Sequence, residues 1–132
     1  MKEIGIGVIG TAFMGKAHSI AYASAATAFG GNLRPRLEMV CDQDPQIAEA
    51  KRKEMGFARC STDYMDVVND PKVDLISICV PNSIHKEIAI AALAAGKHVW
   101  CEKPMSTNLA DSQAMVDAAA TSDQKTIVGY NY

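Results

Sequence analysis

The sequence predicts an α/β fold: a doubly wound parallel sheet of about six strands with helices on both faces. Two observations carry this prediction. Short apolar segments alternate with longer helix-like segments along all 132 residues, and the connections between them are short. Parallel strands joined by right-handed crossovers account for this pattern, because such crossovers are nearly obligatory between parallel neighbours. A chain of this length has room for one domain, so we assign residues 1–132 to a single unit.

The first strand and helix are indicated by composition. Residues 4–9 are a continuous apolar segment, typical of a strand buried on both faces. Alanine, a strong helix former, dominates residues 14–29, and Gly30-Gly31 ends that helix. Residues 37–41 are again apolar and predict the second strand.

The next elements are bounded by capping residues. Asp44, followed by a proline, predicts an N-cap for a helix over residues 45–55 that ends at Gly56. A short third strand covers residues 57–60. Thr62 then caps a short helix that finishes before Pro71.

The second half of the chain repeats the alternation. Residues 75–80 predict the clearest strand, Asn82 is placed to cap a helix over residues 83–95, and Gly96 stops that helix. Residues 97–101 predict the fifth strand.

The last two elements follow the same logic. Ser106 or Thr107 caps a long helix that runs to about Thr121, and residues 126–130 predict a sixth strand.

Composition excludes several classes of protein. The net charge of −2 gives no electrostatic case for binding nucleic acid, and no apolar stretch approaches the roughly 20 residues that span a bilayer. Because the first strand begins almost at once, we expect no signal peptide. The four cysteines form no C-x-x-C pair, so we expect reduced thiols in a cytoplasmic protein rather than disulfides or a metal site.

A glycine-rich turn follows the first strand and opens the first helix, which is the context that a G-x-G-x-x-G pattern needs to be predictive. Its backbone N–H groups and the helix N-terminus would hold a pyrophosphate. Alanine stands at the second glycine position; it costs about 1 to 2 kcal/mol if φ must be positive, and otherwise it only shifts the phosphates slightly. The predicted cofactor-binding residues of the turn are Gly10, Thr11, Ala12, Phe13, Met14 and Gly15.

Asp42 ends the second strand, where this kind of fold places an acid that hydrogen-bonds the adenosine ribose. It follows Gly15 at more than the usual spacing of about 20 residues, and an insertion over residues 30–36 accounts for the excess. A carboxylate repels a 2′-phosphate by about 1 to 4 kcal/mol per unit charge, so we expect NAD as the cofactor. Arg34 and Arg36 are close enough in sequence to leave NADP open.

Polar residues also follow the fourth strand. Pro81 and Asn82 reach the ligand edge of the sheet, where Asn82 either caps the helix or contacts the cofactor. His85 falls in the first helical turn, where the helix dipole favours a neutral imidazole; it either donates to a cofactor or substrate, or it is a structural hydrogen-bonding residue. His18 and His98 are expected to be structural.

The segment Glu102-Lys103-Pro104 closes the fifth strand. A lysine at this edge binds a substrate hydroxyl or takes part in proton transfer, which is typically worth about 10² to 10⁴ in rate. Pro104 fixes the backbone and Glu102 orients the Lys103 ammonium. We therefore predict Lys103 as a catalytic residue and place all three residues at the cofactor. Four strands thus bring glycine or polar residues to one edge, which indicates a dinucleotide-dependent enzyme.

At these residues the sequence resembles the cofactor domain of the glucose-fructose oxidoreductase, inositol dehydrogenase and rhizopine-catabolism family, often written Gfo/Idh/MocA. The resemblance covers the whole chain, and its third block is the most specific. The blocks, in chain order, are residues 7–18 (GVIGTAFMGKAH), residues 80–82 (VPN) with His85, residues 95–104 (AGKHVWCEKP) and residues 129–132 (GYNY).

The resemblance implies a Rossmann fold and an oxidoreductase that passes hydride from a sugar or polyol hydroxyl to NAD or NADP. It also implies that Lys103 contacts both substrate and nicotinamide. Family members continue past the sixth strand into a second domain that supplies substrate contacts, a catalytic histidine or aspartate and usually the oligomer interface, so the full-length protein is expected to be a homo-oligomer. That domain is absent from these 132 residues, which we expect to be inactive alone. The alternative is a non-catalytic dinucleotide-binding module that senses redox state.

Overall fold

The computed structural model describes residues 1–131, which form a six-stranded sheet with helices on both faces. In chain order the elements are β1 (Lys2–Ile9), α1 (Phe13–Phe29), β2 (Leu33–Cys41), α2 (Pro45–Met55), β3 (Arg59–Ser61), α3 (Tyr64–Asn69), β4 (Leu75–Ile78), a 3₁₀ turn (Asn82–Ile84), α4 (His85–Ala94), β5 (His98–Glu102), α5 (Leu109–Ala120) and β6 (Thr126–Gly129). All strand pairs are parallel, in the order β3-β2-β1-β4-β5-β6. The predicted doubly wound fold is confirmed.

Two apolar clusters pack against the sheet. Ile6 and Val8 of β1 lie in one cluster, whereas Ile76 and Ile78 of β4 lie in the other. Side chains two residues apart in a strand point to the same face, so each pair contributes to one layer of the core. All four side chains are at most 1% exposed. Ile9 of β1 and Ser77 of β4, which point to the opposite faces, are 3% and 0% exposed, so both strands are buried on both faces at these positions.

The second strand is longer than predicted. Residues 33–36, expected to belong to an insertion, extend β2 because β1 begins at Lys2 and supplies backbone partners from Leu33 onward. Pro35 is tolerated there since β3 pairs with β2 only from Met39, which leaves the outer edge of β2 free at the proline. The insertion therefore lengthens the sheet at its amino end.

The third strand lies later than the predicted 57–60. Phe57 is 2% exposed and packs in the cluster of Ile6 and Val8, so its apolar character reflects core packing rather than strand pairing. The other strand ends and α1 differ from prediction by one or two residues. Glu102, for example, extends β5 because it pairs with Gly129.

Helix caps were predicted with mixed success. Asp44 caps α2 by accepting from the N–H groups of Gln46 and Ile47 at 2.8 and 3.1 Å, as predicted. The caps predicted at Thr62 and at Ser106 or Thr107 are wrong by one or two residues, because Asp63 and Asn108 supply the accepting side chains instead. Asp and Asn are strongly preferred at the N-cap, and here each stands within two residues of a serine or threonine that is also a common N-cap residue. Composition alone therefore does not identify the capping residue.

The cysteines are free thiols. Burial raises the pKa of Cys41, Cys79 and Cys101 to about 12, so these thiols stay protonated at neutral pH. No three His, Cys, Asp or Glu side chains of residues 1–131 are grouped to hold a metal ion. None of the helices in the described part of the chain has the length and apolar character that a bilayer crossing requires.

The buried position of Ile76 in central strand β4 can be tested by truncation. We expect Ile76→Ala to lower the free energy of unfolding by about 2 to 5 kcal/mol, because the change removes buried apolar groups and leaves a cavity. Urea denaturation followed by circular dichroism measures the change. Ile127→Ala in edge strand β6 is the control. The Ile127 side chain is 52% exposed, so its truncation should lower the free energy of unfolding by less than about 0.5 kcal/mol. Equal losses would contradict the central placement of β4.

Candidate functional site

A cleft of about 920 Å³ opens where β1, β2 and β4 end. The strand order reverses between β1 and β4, and ligands of open α/β sheets bind beyond the carboxyl ends of the strands at such a point. The volume lies within the range of small-molecule sites, about 300 to 1,000 Å³. The predicted site residues that line it are Gly10, Thr11, Ala12, Phe13, Asp42 and Pro81.

Gly10 makes the turn that opens the cleft. Its φ of 101° lies in the region that favours glycine, and a Cβ at this position would overlap the carbonyl group of Cys79. A Cβ at Gly15 would in turn overlap the carbonyl oxygen of Gly10, so α1 packs directly against the turn. Both glycines are therefore required for the close approach of backbone segments.

Ala12, at the second glycine position of the pattern, adopts φ −70° and ψ −161°. This conformation is open to any residue, so the alanine introduces no backbone strain. Of the two consequences considered for this alanine, the energetic cost of a positive φ therefore does not apply.

The N-terminus of α1 is ready to bind an anion. No side chain in residues 1–131 caps it and its first turn contains no acidic residue, whereas Asp44, Asp63 and Asn108 cap α2, α3 and α5. The first N–H groups of a helix have no intrahelical partner and carry partial positive charge. The turn and helix therefore fit a pyrophosphate, which is the group that such an N-terminus binds in dinucleotide sites.

Asp42 is held in place beside this turn. The Thr11 hydroxyl donates to its Oδ2, and the N–H of Asp44 donates to its Oδ1 at 3.1 Å. Each carboxylate oxygen can accept a second hydrogen bond, so the half-buried side chain can still receive ribose hydroxyls from the cleft. The position is the one predicted from the end of β2.

Arg34 and Arg36 lie far from the cleft. They pair with Glu3 and Gly5 of β1, toward the amino ends of the strands. Six residues of strand separate Arg36 from Asp42, a distance of about 20 Å. Arg36 instead forms an ion pair with the buried Glu38. The suggestion that these arginines could accept the 2′-phosphate of NADP is therefore wrong.

Several cleft residues escaped the sequence prediction. Tyr64, which opens α3, donates a hydrogen bond from its hydroxyl to Glu87, and this bond raises the pKa of Tyr64 to about 12, so that the phenol stays protonated. These residues could have been found from the end of β3, since ligand-binding residues follow the carboxyl ends of strands. The prediction placed that strand too early in the chain. The unpredicted polar lining residues are Lys16, Gln43, Lys51, Thr62, Asp63, Tyr64 and Ser83.

Asn82 and His85 do not line the cleft. Asn82 lies in the 3₁₀ turn, and α4 begins without a side-chain cap, so the predicted cap is wrong. His85 is 1% exposed; its Nδ1 lies 3.1 Å from the carbonyl oxygen of Pro104 and its Nε2 lies 2.8 Å from that of Val80. Both ring nitrogens therefore face backbone carbonyl groups. This supports a structural role for His85 rather than a contact with the cofactor or substrate.

Glu102 is turned inward. It is 6% exposed, and its Oε1 lies 2.7 Å from Nε2 of His18, whose Nδ1 lies 3.0 Å from the Ser77 hydroxyl. Its Oε2 accepts from the backbone N–H of Lys103 at 3.3 Å. The prediction that Glu102 orients the Lys103 ammonium is wrong, because its carboxylate binds the backbone N–H of Lys103 and the buried His18 instead. Its contact with the cofactor stays a prediction.

Lys103 and Pro104 are exposed at the end of β5, next to β4 on the same edge of the sheet. They do not line the cleft itself, and neither do Met14 and Gly15. The flanking residues of Lys103 are both fixed, Glu102 by His18 and Pro104 by His85. The backbone of Lys103 is thus held while its side chain is exposed.

Comparison with known proteins places this geometry in a family. Residues 4–130 match the sequence model of the family described as "Oxidoreductase family, NAD-binding Rossmann fold". The chain is 37% identical over 133 aligned residues to levoglucosan dehydrogenase of Pseudarthrobacter phenanthrenivorans, and 35% identical over 89 residues to myo-inositol 2-dehydrogenase of Thermotoga maritima. These alignments cover 100% and 67% of the chain, but 34% and 26% of the relatives.

Solved structures give the same result. A levoglucosan dehydrogenase in complex with NADH superposes with a TM-score of 0.94 at 36% identity, over 96% of this chain and 34% of that one. An NAD binding oxidoreductase from Klebsiella pneumoniae superposes with a TM-score of 0.93 at 42% identity, over 97% of this chain and 34% of that one. The chain spans about a third of the length of these relatives. The chain therefore belongs to the Gfo/Idh/MocA family of oxidoreductases, through its NAD-binding Rossmann fold.

Proposed function

We propose that this chain binds NAD and forms the cofactor-binding part of a dehydrogenase that moves hydride between a sugar or polyol hydroxyl and the nicotinamide. One observation carries the proposal: a glycine turn, an uncapped helix N-terminus and an acid at the end of β2 meet in one cleft at the reversal point of the sheet. That combination supplies a binding group for a pyrophosphate and another for a ribose.

Each part of the cleft would bind a different part of the cofactor. The turn at Gly10 and the first N–H groups of α1 would hold the pyrophosphate, and Asp42 would accept from the adenosine ribose hydroxyls. The bound nicotinamide supplies the hydride acceptor. A 2′-phosphate would meet the Asp42 carboxylate, so NAD is favoured over NADP.

Lys103 is the proposed catalytic residue. It stands at the end of β5 on the ligand edge. Its backbone N–H donates to Oε2 of the buried Glu102, and the carbonyl oxygen of the next residue, Pro104, lies 3.1 Å from Nδ1 of the buried His85. A fixed backbone with an exposed ammonium can orient a substrate hydroxyl or move its proton. The substrate class follows from the relatives, among them levoglucosan dehydrogenase with bound levoglucosan or L-sorbose.

The remaining parts of the proposal concern the longer protein. Relatives about three times as long suggest that a second domain supplies the substrate contacts and excludes water. We also propose a cytoplasmic homo-oligomer; the protonated, buried thiols are compatible with a reducing compartment.

Cofactor binding by the 132-residue chain tests the proposal. We expect saturable binding of NADH by isothermal titration, with quenching of Trp100 fluorescence as a second readout. Gly10→Ala should lower the affinity at least tenfold, because its methyl group would overlap the Cys79 carbonyl and displace the turn. The control is Gly31→Ala, which has a similar positive φ of 92° in open space outside the cleft and should bind NADH like the parent. A folded chain that binds neither NAD nor NADH at millimolar concentration would overturn the proposal.

Asp42 can be tested by removing its charge. We expect Asp42→Asn to weaken the binding of NADH by about tenfold, because the ribose loses a charge-assisted hydrogen-bond acceptor. The difference in affinity between NADH and NADPH should also become smaller, because the charge that repels the 2′-phosphate is lost. Asp44→Asn is the matched control: it removes the same charge two residues away, keeps a good N-cap and lies outside the cleft. Equal effects of the two changes would count against ribose binding at Asp42.

The role of Lys103 is testable in a polypeptide of the relatives' length. Lys103→Met should lower kcat by about 10² to 10⁴ and leave the Kd for NADH within about threefold, since Lys103 does not line the cleft. Steady-state kinetics with a sugar substrate and NADH titration provide the two numbers. Lys72→Met, another exposed lysine, should leave both unchanged. A variant that retains full turnover would remove Lys103 from the chemistry.

A further inference from the structure

Two lysines of the cleft play no part in the site described above. The charged side chains that line the cleft are Lys16, Asp42, Lys51 and Asp63. Lys16 follows the glycine turn directly in the first turns of α1. Lys51 lies four residues beyond the cleft residue Ile47 on the same face of α2.

Both lysines are tied to one carboxylate behind the cleft. The ammonium of Lys16 donates to Oε1 of Glu54, and that of Lys51 donates to Oε2 at 2.7 Å. Glu54 itself does not line the cleft. Hydrogen bonds from the two lysines lower the pKa of Glu54 to about 2, so the carboxylate is ionised at neutral pH.

Released from Glu54, both ammonium groups could reach the ribose end of the cleft. Helix α2 begins three residues after Asp42, and Lys51 stands about 9 Å along it from its start. Its long side chain, like that of Lys16, already borders the cleft. The arginines of β2 are excluded by distance, so these lysines are the basic groups of the described chain that are available to a phosphate on the ribose.

We infer that Glu54 is a specificity-determining residue, which holds Lys16 and Lys51 away from the adenosine ribose and thereby withholds cations from a 2′-phosphate. The inference rests on the proposed NAD site and extends it. Asp42 disfavours NADP by repulsion, whereas Glu54 disfavours it by neutralising the groups that would attract it. Discrimination between the cofactors thus depends on α2 as well as on the end of β2.

The test compares NADH and NADPH binding by the 132-residue chain and its Glu54→Gln variant. Glu54→Gln should raise the affinity for NADPH relative to NADH by roughly tenfold in low salt, because two ammonium groups lose their partner next to a doubly charged phosphate. The gain should shrink as the salt concentration is raised from about 10 mM to 300 mM, since exposed charges are screened. Adding Lys51→Met to Glu54→Gln should remove most of the gain.

The chain offers a matched control on the same helix. Glu49→Gln removes an equivalent carboxylate. Glu49 accepts hydrogen bonds from Arg52 and from the Cys60 thiol, with Lys53 also close, and none of these partners lines the cleft. The ratio of NADH to NADPH affinity should stay within about twofold of the parent. Because the Glu54 side chain is 39% exposed, we expect the Glu54→Gln variant to fold, which circular dichroism can check. Glu54→Ser serves as a second variant.

Three results separate the possibilities. An unchanged affinity ratio in a folded Glu54→Gln variant overturns the inference while the NAD site stands. An equal gain for NADH and NADPH also overturns it, because the lysines would then act on the shared pyrophosphate. A parent chain that binds neither cofactor overturns the proposed function itself.

Discussion

The end of β1 is fixed between its two neighbours, and the rest of the site depends on that constraint. The N–H of Gly10 donates to the Cys41 carbonyl at 3.0 Å, and the Ile9 carbonyl accepts from the N–H of Cys79 at 2.8 Å. Gly10 must then turn against the Cys79 carbonyl, where no side chain fits. Because the strand order reverses at this point, the connections on its two sides diverge and leave a cleft between them.

The overall fold is predictable from the sequence because its signals are local. Residues 4–9 of β1 and residues 75–78 of β4 are mostly apolar, and residues such as Asp44 and Gly56 bound α2 by their own hydrogen bonding and backbone freedom. Boundaries set by a distant partner are not predictable in this way. Residues 33–36 become strand because β1 starts early, and Phe57 is apolar because it packs in the core and not because it pairs.

The site is predictable to the level of backbone position. The rule that ligands bind beyond the carboxyl ends of parallel strands identifies Gly10, Asp42 and Pro81, all of which line the cleft. It does not say where a side chain points. His85 and Glu102 follow the expected strand ends but are directed inward. Glu102 meets His18, 84 positions earlier in the chain, and His85 lies between the carbonyl oxygens of Val80 and Pro104. The strand-end rule contains no information about such partners.

Helix α1 connects the two ends of the proposed site. Its N-terminus faces the cleft, and one turn later His18 reaches through the core to Ser77 and to Glu102, which holds the backbone N–H of Lys103. Buried polar groups must find partners, so this chain of hydrogen bonds fixes α1 relative to β4 and β5. A phosphate bound at the start of α1 would thereby be placed in a fixed relation to Lys103, so the orientation of the cofactor relative to this proposed catalytic lysine would be set by the packed core of the domain rather than by loops.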